Sequence, residues 1–549
     1  MRSKEENSKL AQLLFPEIKE TPKDMFVKYP KRDLEPGQLV VRFAPSPTGF
    51  LHLGSVYTSL IDRRLADQTD GVCILRIEDT DKSREIEGGV DLIINGLSDF
   101  GIEFDESINS GNYGPYLQSE RKDIYKVFAK DMVERGVAYP CFASPDELDD
   151  IRKKQEELGV RTGYYGNFAK WRDAFFEDIK EQIDEGKEFV IRLYSTGDFE
   201  KKFEFDDKVK GRCTFSENDM DLVLLKSDGL PTYHFAHPID DTLMGVNLVI
   251  RTTEWFPSIP IHLEIFEKLQ FEQIDYAHPS PLMKMDNGNK RKLSKRKDPE
   301  ADARYFLNHG YPTVAILEYF LNIMNSNFSD WRRENPEKEY TEFELKLKKF
   351  NKAGALFDMT KLENVCKEYI ARLSAREVYD HIFRWAQKYD VDLVKRMEEN
   401  REYCIEILNI EREGDQIRKD IVKWEDAYNQ FSIFFDDMYE ELERDELPEN
   451  VEKEDVKKII DMFLDTYDMG DSTDVWFGKI KDIGNELGYT SDYKAFKANP
   501  EKFKGKVGDV AMVLRIALTK KSRTPDLHQV MRVLGKEKVE ERLKNFKLP

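Results

Sequence analysis

The sequence predicts an open parallel α/β sheet built in two halves around an insertion, followed by an all-α C-terminal region. Three observations predict it. Apolar β-type runs followed by helical periodicity recur between residues 39 and 100. The same alternation resumes after about 226, and from 371 onward amphipathic helical periods dominate, broken by Gly and Pro near 447–449, 470 and 499–508. A chain of 549 residues calls for several domains.

The first element, Val40-Val41-Arg42-Phe43, reads as a buried strand over 39–43. Ala44-Pro45-Ser46-Pro47-Thr48-Gly49 follows as a turn that cannot be helical, because both prolines fix φ and push their predecessors out of the α region. Leu51-His52-Leu53-Gly54-Ser55 then starts a helix over 53–68, with Val56, Tyr57, Leu60, Ile61 and Leu65 at helical spacing. A strand that delivers a helix N-terminus offers unpaired N–H groups and the positive end of a dipole, which suits phosphate. There His52 can donate to a phosphoryl oxygen, and Gly54 lets a ring or phosphate approach the backbone.

A lone His-x-Gly is most often structural, so the weight falls on a second element, Lys292-Leu293-Ser294-Lys295-Arg296. It lies in the basic run 290–297 after Met283-Lys284-Met285. A solvated charge run is the ordinary reading, but here Leu and Ser interrupt it at fixed places.

The elements between follow in order. A strand over 72–78 ends in Arg76-Ile77-Glu78-Asp79-Thr80-Asp81, collecting acids at its carboxyl end, where open α/β sheets bind ligands. Alternatively Asp79, Thr80 or Asp81 caps a helix over 84–98. Residues 116–226 read as an insertion with helices over 118–135, 145–157 and 170–185 and a strand over 189–193. The second half opens on Leu222-Val223-Leu224-Leu225-Lys226; Asp228-Gly229 signals a hairpin, and Tyr233 and Phe235 read as strand residues. The strand Leu248-Val249-Ile250 leads into Arg251-Thr252-Thr253-Glu254-Trp255 and a helix over 261–269. Ahead of all this, Leu10, Leu13, Leu14 and Phe15 form a short amphipathic helix in an extension over 1–36.

Composition excludes several classes. With 106 acidic and 85 basic residues the net charge is −21, so nucleic acid cannot be held by overall charge and would need local basic patches. The segment 421–480 carries 18 acidic and 6 basic residues and reads as a solvated helical face, whereas 501–549 carries 13 basic and 6 acidic and is the best surface for RNA phosphates. No apolar run approaches the roughly 18 residues of a membrane span. The start, MRSKEENSKLAQLLF, lacks the apolar core of a signal peptide, and its acids argue against a transit peptide, which leaves the cytoplasm. Five cysteines (73, 141, 213, 366, 404) show no CxxC spacing, so neither disulfides nor a zinc knuckle is expected, and Cys73 reads as core.

The HxGx strand-to-helix turn paired with a KxSK loop resembles the class I aminoacyl-tRNA synthetases. RFAPSPTG-x-LHLG followed by RIEDTD resembles the bacterial form of the glutamyl-tRNA synthetase family. The resemblance implies a Rossmann-like catalytic domain in two halves, 37–115 and 227–290, around an acceptor-stem-binding insertion over 116–226. A KLSKR loop and stem-contact domain over 291–370 and a helical anticodon-binding domain over 371–549 would follow. The implied activity joins L-glutamate to the 3′ end of tRNA(Glu), and in some members tRNA(Gln), through a glutamyl-adenylate, releasing AMP and pyrophosphate. ATP with Mg2+ is implied; with Cys141 alone in the stretch where some members carry zinc, no zinc is expected. A monomer without membrane attachment is expected.

Carried over position by position, His52, Gly54, Lys292 and Lys295 would be catalytic, and Leu293, Ser294, Arg296, Glu254 and Trp255 would join them around ATP. Arg42, Ser46, Glu78, Tyr233, His237 and Arg251 would bind glutamate, and Arg84 would approach the tRNA acceptor end. The chemistry suits those types: a carboxylate for an ammonium, and arginine forks for two carboxylates. Arg251 stands in the family's Arg-x-x-Glu-Trp variant, and His237 where relatives often have Asn. Glutaminyl-tRNA synthetases typically read RFPPEPNG where this chain has RFAPSPTG, which favours glutamate. Two other readings stay open: a short tRNA-modifying paralogue of the catalytic half, disfavoured by the long helical C-terminal region, and an RNA-binding regulator with a dead site.

Overall fold

The computed structural model describes residues 2–81, 86–352, 354–414 and 417–548. The chain divides into two compact units, 1–305 with 317–358, and 306–316 with 359–549.

In the first unit, α1 (Lys4–Leu14) is closed by a capping box between Ser3 and Glu6, and α2 (Pro22–Lys28) by one between Thr21 and Asp24. Leu10, Ala11 and Phe15 are buried in the same apolar cluster as Ile124 and Phe128, so the N-terminal extension belongs to the body. Arg32 anchors its end: the guanidinium forks onto Glu106 at 2.9 and 2.7 Å, its Nε–H donates to Met244 O at 2.7 Å, and it lies 3.9 Å over the Tyr113 ring.

Next come β1 (Val40–Phe43), α3 (Leu53–Asp67) and β2 (Val72–Leu75), with β1 and β2 parallel from Val40 opposite Val72 to Phe43 opposite Leu75. The assigned strand is shorter than the expected 72–78, yet the chain stays bonded on both sides. The Arg76 and Glu78 N–H groups donate to Phe43 O and Pro45 O, and the Ile77 N–H to Tyr116 O. Glu78 is thereby held at the carboxyl end of the sheet. Of the helix expected over 84–98, the described residues form α4 (Gly89–Asp99), bounded by Gly88 at φ 70°. Gly88, not Asp79, is the N-cap of α4, and the Asp79 carboxylate accepts from the Ser119 N–H at 2.7 Å. Arg84 lies outside the described residues.

The insertion carries α5 (Lys122–Glu134), β3 (Ala138–Cys141), α6 (Pro145–Leu158), α7 (Phe176–Asp184) and β4 (Val190–Leu193). An antiparallel hairpin of β5 (Lys202–Asp207) and β6 (Gly211–Ser216) follows, then β7 (Val223–Leu225), and β3, β4 and β7 form one antiparallel sheet.

Tyr233 and Phe235 begin a helix, α8 (Tyr233–Leu243), not a strand. Thr232 stands extended at its N-cap, its carbonyl accepts from the Phe235 and Ala236 N–H groups, and Phe235, Ala236, Ile239 and Leu243 make one buried stripe. That stripe runs past the short window in which alternation suggested β.

Thereafter β8 (Leu248–Ile250), α9 (Ile259–Leu269) and β9 (Asp275–Ala277) restore the parallel pattern. β1 and β8 are stitched by Asn247, which accepts from the Val40 N–H at its side chain (2.9 Å) and donates its own N–H to Val40 O (3.1 Å). The β5–β6 hairpin returns to this sheet, its Lys208 N–H donating to Tyr276 O at 2.9 Å. β10 (Leu282–Asp286) and β11 (Asn289–Lys292) form a second hairpin through Asn287-Gly288 at φ 48° and 82°. The boundary expected at 290/291 falls inside it.

The second unit is helical, with one core running from Ile370 to Leu543. Residues 306–316 belong to it rather than to the preceding domain: the Trp424 N–H donates to Gly310 O at 2.8 Å and the Trp385 indole to Leu307 O at 3.1 Å. The acidic 421–480 block, expected to be merely solvated, pairs with the basic C-terminal part. Lys538 and Arg542 meet Asp436 at 2.9 and 3.2 Å, Lys504 meets Asp455 at 2.7 Å, and Lys521 meets Asp445 at 3.7 Å. Among the described residues no helix is long and apolar enough to cross a membrane.

Candidate active site

β1 ends at the Pro-rich turn, and α3 starts with His52 as its N-cap. The imidazole Nδ1 accepts from the Gly54 N–H at 2.8 Å, so in the neutral ring the proton sits on Nε2. A Cβ on residue 54 would lie 2.9 Å from that Nδ1, so the glycine makes room for the ring of His52 itself. Burial first, then Lys295 and Lys292, pull His52 down to about 4, against weaker opposing pulls from the Leu293 backbone and Asp302. At neutral pH His52 therefore presents an uncharged N–H donor in a cationic surround.

Those cations come from the end of β11 and the loop after it. Lys292 pairs with Glu254 at 2.5 Å, and the Lys295 ammonium donates to Phe50 O. A buried carboxylate, Asp298, fastens the loop: it accepts from Arg291 at 2.6 and 2.7 Å, from the Ser294 N–H at 3.0 Å and pairs with Lys284 at 3.3 Å. Its hydrogen bonds from Arg291 hold it well below the usual carboxylate range. His52, Gly54, Thr58, Glu254 and Lys292 to Arg296 all line one cavity of about 760 Å³. Trp255 is half exposed beside Tyr233, ring centroids 4.3 Å apart.

A second cluster begins one residue before this cavity's Thr252. Arg251 is buried at 6% exposure; its Nε–H donates to His278 Nε2 at 2.9 Å and its Nη1 contacts His262 Nδ1 at 2.9 Å and Tyr233 Oη at 3.2 Å. Its Nη2 has no hydrogen-bond partner. Arg42 sits against Asp241 at 3.1 Å, and Arg76 joins Asp241 at 2.6 Å to Glu78 at 3.3 Å. Asp241 stays ionised because Arg42 and Arg76 outweigh its burial, whereas burial dominates at Glu78 and raises it. Arg251 and Arg42 both depress His237, which marks all of these as one neighbourhood.

The structure thus gathers Arg42, Glu78, Tyr233 and Arg251, and Ser46 lies exposed on the turn after β1. His237 differs from expectation. It is fully buried, Nδ1 is 2.5 Å from Asp241 and Nε2 is 2.7 Å from Tyr276 Oη, so both nitrogens are used and none is left for a ligand. Burial brings it down to about 3, and its place is behind the arginines, orienting Asp241. Sequence reading missed Arg76, Asp241, His262, His278 and Asp207. Only the alternation in Lys202-Phe203-Glu204-Phe205-Asp206 hinted at the strand that brings Asp207 in. Among the described residues no group of three or more His, Cys, Asp or Glu is placed to hold a metal ion.

Comparison with known proteins meets this geometry. Residues 38–364 match the family model for the catalytic domain of class I tRNA synthetases (E and Q), and 382–547 match an anticodon-binding domain. The fold is that of a class I aminoacyl-tRNA synthetase, a class that uses ATP. The chain is 46% identical over 544 residues to a glutamate–tRNA ligase of Clostridium perfringens strain SM101, covering 98% of this chain and 99% of the relative. It is 46% identical over 543 residues to one from Acetivibrio thermocellus, with the same coverage. A solved glutamate tRNA ligase from Elizabethkingia meningosepticum, in complex with its amino acid, superposes with a TM-score of 0.71 at 27% identity, over 93% of this chain and 100% of that one. The chain belongs to the glutamate–tRNA ligase family. Its anticodon-binding match removes the reading as a catalytic-half paralogue.

Proposed function

We propose that this chain joins L-glutamate to the 3′ end of tRNA(Glu) by way of a glutamyl-adenylate. The substrate α-carboxylate attacks the α-phosphorus of ATP, its oxygen forms the new P–O bond, and the bond to pyrophosphate breaks. The terminal ribose hydroxyl of the tRNA then takes the glutamyl group, and AMP leaves. No side-chain nucleophile is needed; alignment and neutralisation of developing phosphoryl charge carry the rate.

His52 Nε2–H donates to an α-phosphate oxygen, and Lys292 and Lys295 meet the β,γ-phosphates, with Gly54, Leu293, Ser294, Arg296, Glu254 and Trp255 shaping the nucleotide site. Arg251 takes a substrate carboxylate with its unpartnered Nη2, Tyr233 Oη adds a hydrogen bond, Glu78 faces the ammonium, and Arg42 and Ser46 complete the set. His237 acts one step back. Magnesium would arrive on the phosphates and neutralise them further; Glu254, the carboxylate at that end, is already paired with Lys292. The domain roles at 116–226, 291–370 and 371–549 follow the family, Arg84 approaches the acceptor end, and the protein works in the cytoplasm as a monomer.

One observation carries the reading: a single cavity is lined by His52 and Gly54 together with Lys292, Ser294 and Lys295. Charging of separated tRNA(Glu) and tRNA(Gln) tests it, with ATP–pyrophosphate exchange run with and without tRNA. Glutamate charging of tRNA(Glu) is expected; charging of both tRNAs would widen the specificity, and no exchange under any condition would leave the regulator reading.

A further inference from the structure

Arg251 differs from Arg42, Arg76 and Arg121, three other buried arginines of its unit, in what surrounds it. Arg42 and Arg76 lie against Asp241 at 3.1 and 2.6 Å, and Arg121 lies against Asp240 at 2.7 Å. Arg251, by contrast, forms no ion pair among the described residues: its hydrogen-bond contacts are His278 on Nε and His262 and Tyr233 on Nη1, with none on Nη2, and the guanidinium lies 4.7 Å over the Tyr276 ring. The nearest acid in that chain of contacts, Asp207, is one residue removed, its Oδ2 2.6 Å from Nδ1 of His278. On the other branch His262 Nε2 is 3.0 Å from His234 Nδ1.

A guanidinium only donates, so each nitrogen that faces it must accept. His278 therefore carries its proton on Nδ1, toward Asp207, and His262 carries its proton on Nε2, toward His234. Both rings are neutral in this arrangement. Asp207 is itself fixed, accepting from the Val209 and Lys210 N–H groups at 2.9 and 2.7 Å at the turn of the β5–β6 hairpin.

We propose that His262 and His278 are specificity-determining positioning residues: as neutral acceptors they orient the Arg251 guanidinium without cancelling its charge, so that the substrate carboxylate is the one anion available to it. This rests on the reading of Arg251 as a carboxylate-binding group, and specifically as the one that takes the side-chain carboxylate of glutamate. An acid in place of either ring would pair with Arg251, remove its demand for an anion, and let a neutral amide compete. Glutamine in place of glutamate would leave a buried, uncompensated guanidinium, which is why the neutral cage rejects it.

The test is steady-state kinetics on the full chain with tRNA, varying glutamate, glutamine and ATP in turn, for wild type, H262Q, H262E and R251Q. H262Q, which retains a neutral acceptor, should restore most of the preference for glutamate over glutamine that H262E loses. H262E should raise KM for glutamate on the order of 100-fold, lower the preference by a similar factor, and leave KM for ATP unmoved. If H262E keeps the wild-type preference, or falls together with H262Q on every substrate, the proposal is overturned. R251Q separates the two levels: an unchanged glutamate KM there would remove the carboxylate-binding reading itself. Should H262E not fold, 15N NMR of histidine-labelled wild type decides. Neutral rings at pH 7, protonated on Nε2 at His262 and Nδ1 at His278, are expected, and a cationic ring at either position overturns the proposal.

Discussion

Replacing Asp298 by Asn tests whether one buried carboxylate holds the lysine loop in place. The carboxylate is 2% exposed and accepts from both Nη atoms of Arg291, from the Ser294 N–H and from Lys284. Removing one member of a fully buried pair costs roughly 3–5 kcal/mol. Arg291, though, is 25% exposed and retains Asp286 at 2.6 Å, so water and the second partner reduce the loss to about 2–3 kcal/mol. At about 1.4 kcal/mol per tenfold, the balance between the fastened and the released loop shifts by roughly 30- to 150-fold.

The expected outcome is a rise in KM for ATP of about tenfold or more in ATP–pyrophosphate exchange with tRNA present, with KM for glutamate left near wild type. Equal losses on both substrates, or an unchanged ATP KM in a folded variant, would refute the reasoning. The latch should also be insensitive to ordinary pH. Its folded-state pKa is depressed by the Arg291 hydrogen bonds, so its contribution is complete above about pH 5 and is lost progressively only on acidification below that.

Three other outcomes follow from the same geometry. Gly54→Ala puts a Cβ 2.9 Å from His52 Nδ1 and must displace the ring; since Ala favours the helix by about 1 kcal/mol, melting should hardly change while the exchange rate drops by about 100-fold, and an unaltered rate would sink the assignment. His52→Gln should flatten the acid dependence of stability. The wild-type ring, lowered to about 4, resists a proton that the unfolded chain accepts near 6.5, so stability falls by about 2–3 kcal/mol as pH drops across that window. Urea unfolding at pH 7 and 4.5 would show parallel losses in both proteins if this is wrong. Arg32→Ala should lower the stability of the first unit by about 3 kcal/mol, read from urea melts; no loss would make the N-terminal extension a mere appendage.

Local chemistry made much of this legible. Two prolines and a glycine between an apolar run and a helical period can do little except form a strand–turn–helix, and the cations of 292–296 were visible as an interrupted run. What escaped was determined by pairing at a distance. His278 meets Asp207 across 71 residues, through a hairpin that leaves the insertion and rejoins the parallel sheet, and Arg251 at the end of β8 meets His262 on α9 across 11. Asp241 looked like half of an acidic dipeptide; only the fold shows it neutralising Arg42 and Arg76 together. His237 misled because it stands at a family position often held by Asn; on α8 it stacks beneath Tyr233, ring centroids 5.7 Å apart, yet it is fully buried with both nitrogens bonded to Asp241 and Tyr276.

On the proposed assignment of nucleotide to the lysine loop and glutamate to the arginines, the two ends of the site solve different electrostatic problems. At the nucleotide end the cations are accessible, with Lys292 half exposed, and they stand on a hairpin and a loop fastened by one carboxylate. Such groups can follow a triphosphate that loses two of its phosphates as pyrophosphate, because exposed ammonium ions are cheap to rehydrate when the anion departs. At the amino-acid end the arginines are buried and held by partners fixed in strands and helices, Arg42 and Arg76 by an acid and Arg251 by neutral rings. That rigidity suits discrimination between glutamate and a nearly isosteric amide, which no flexible charge could supply. A loosened lysine loop should therefore cost rate with any amino acid, whereas a changed cage around Arg251 should cost selectivity first.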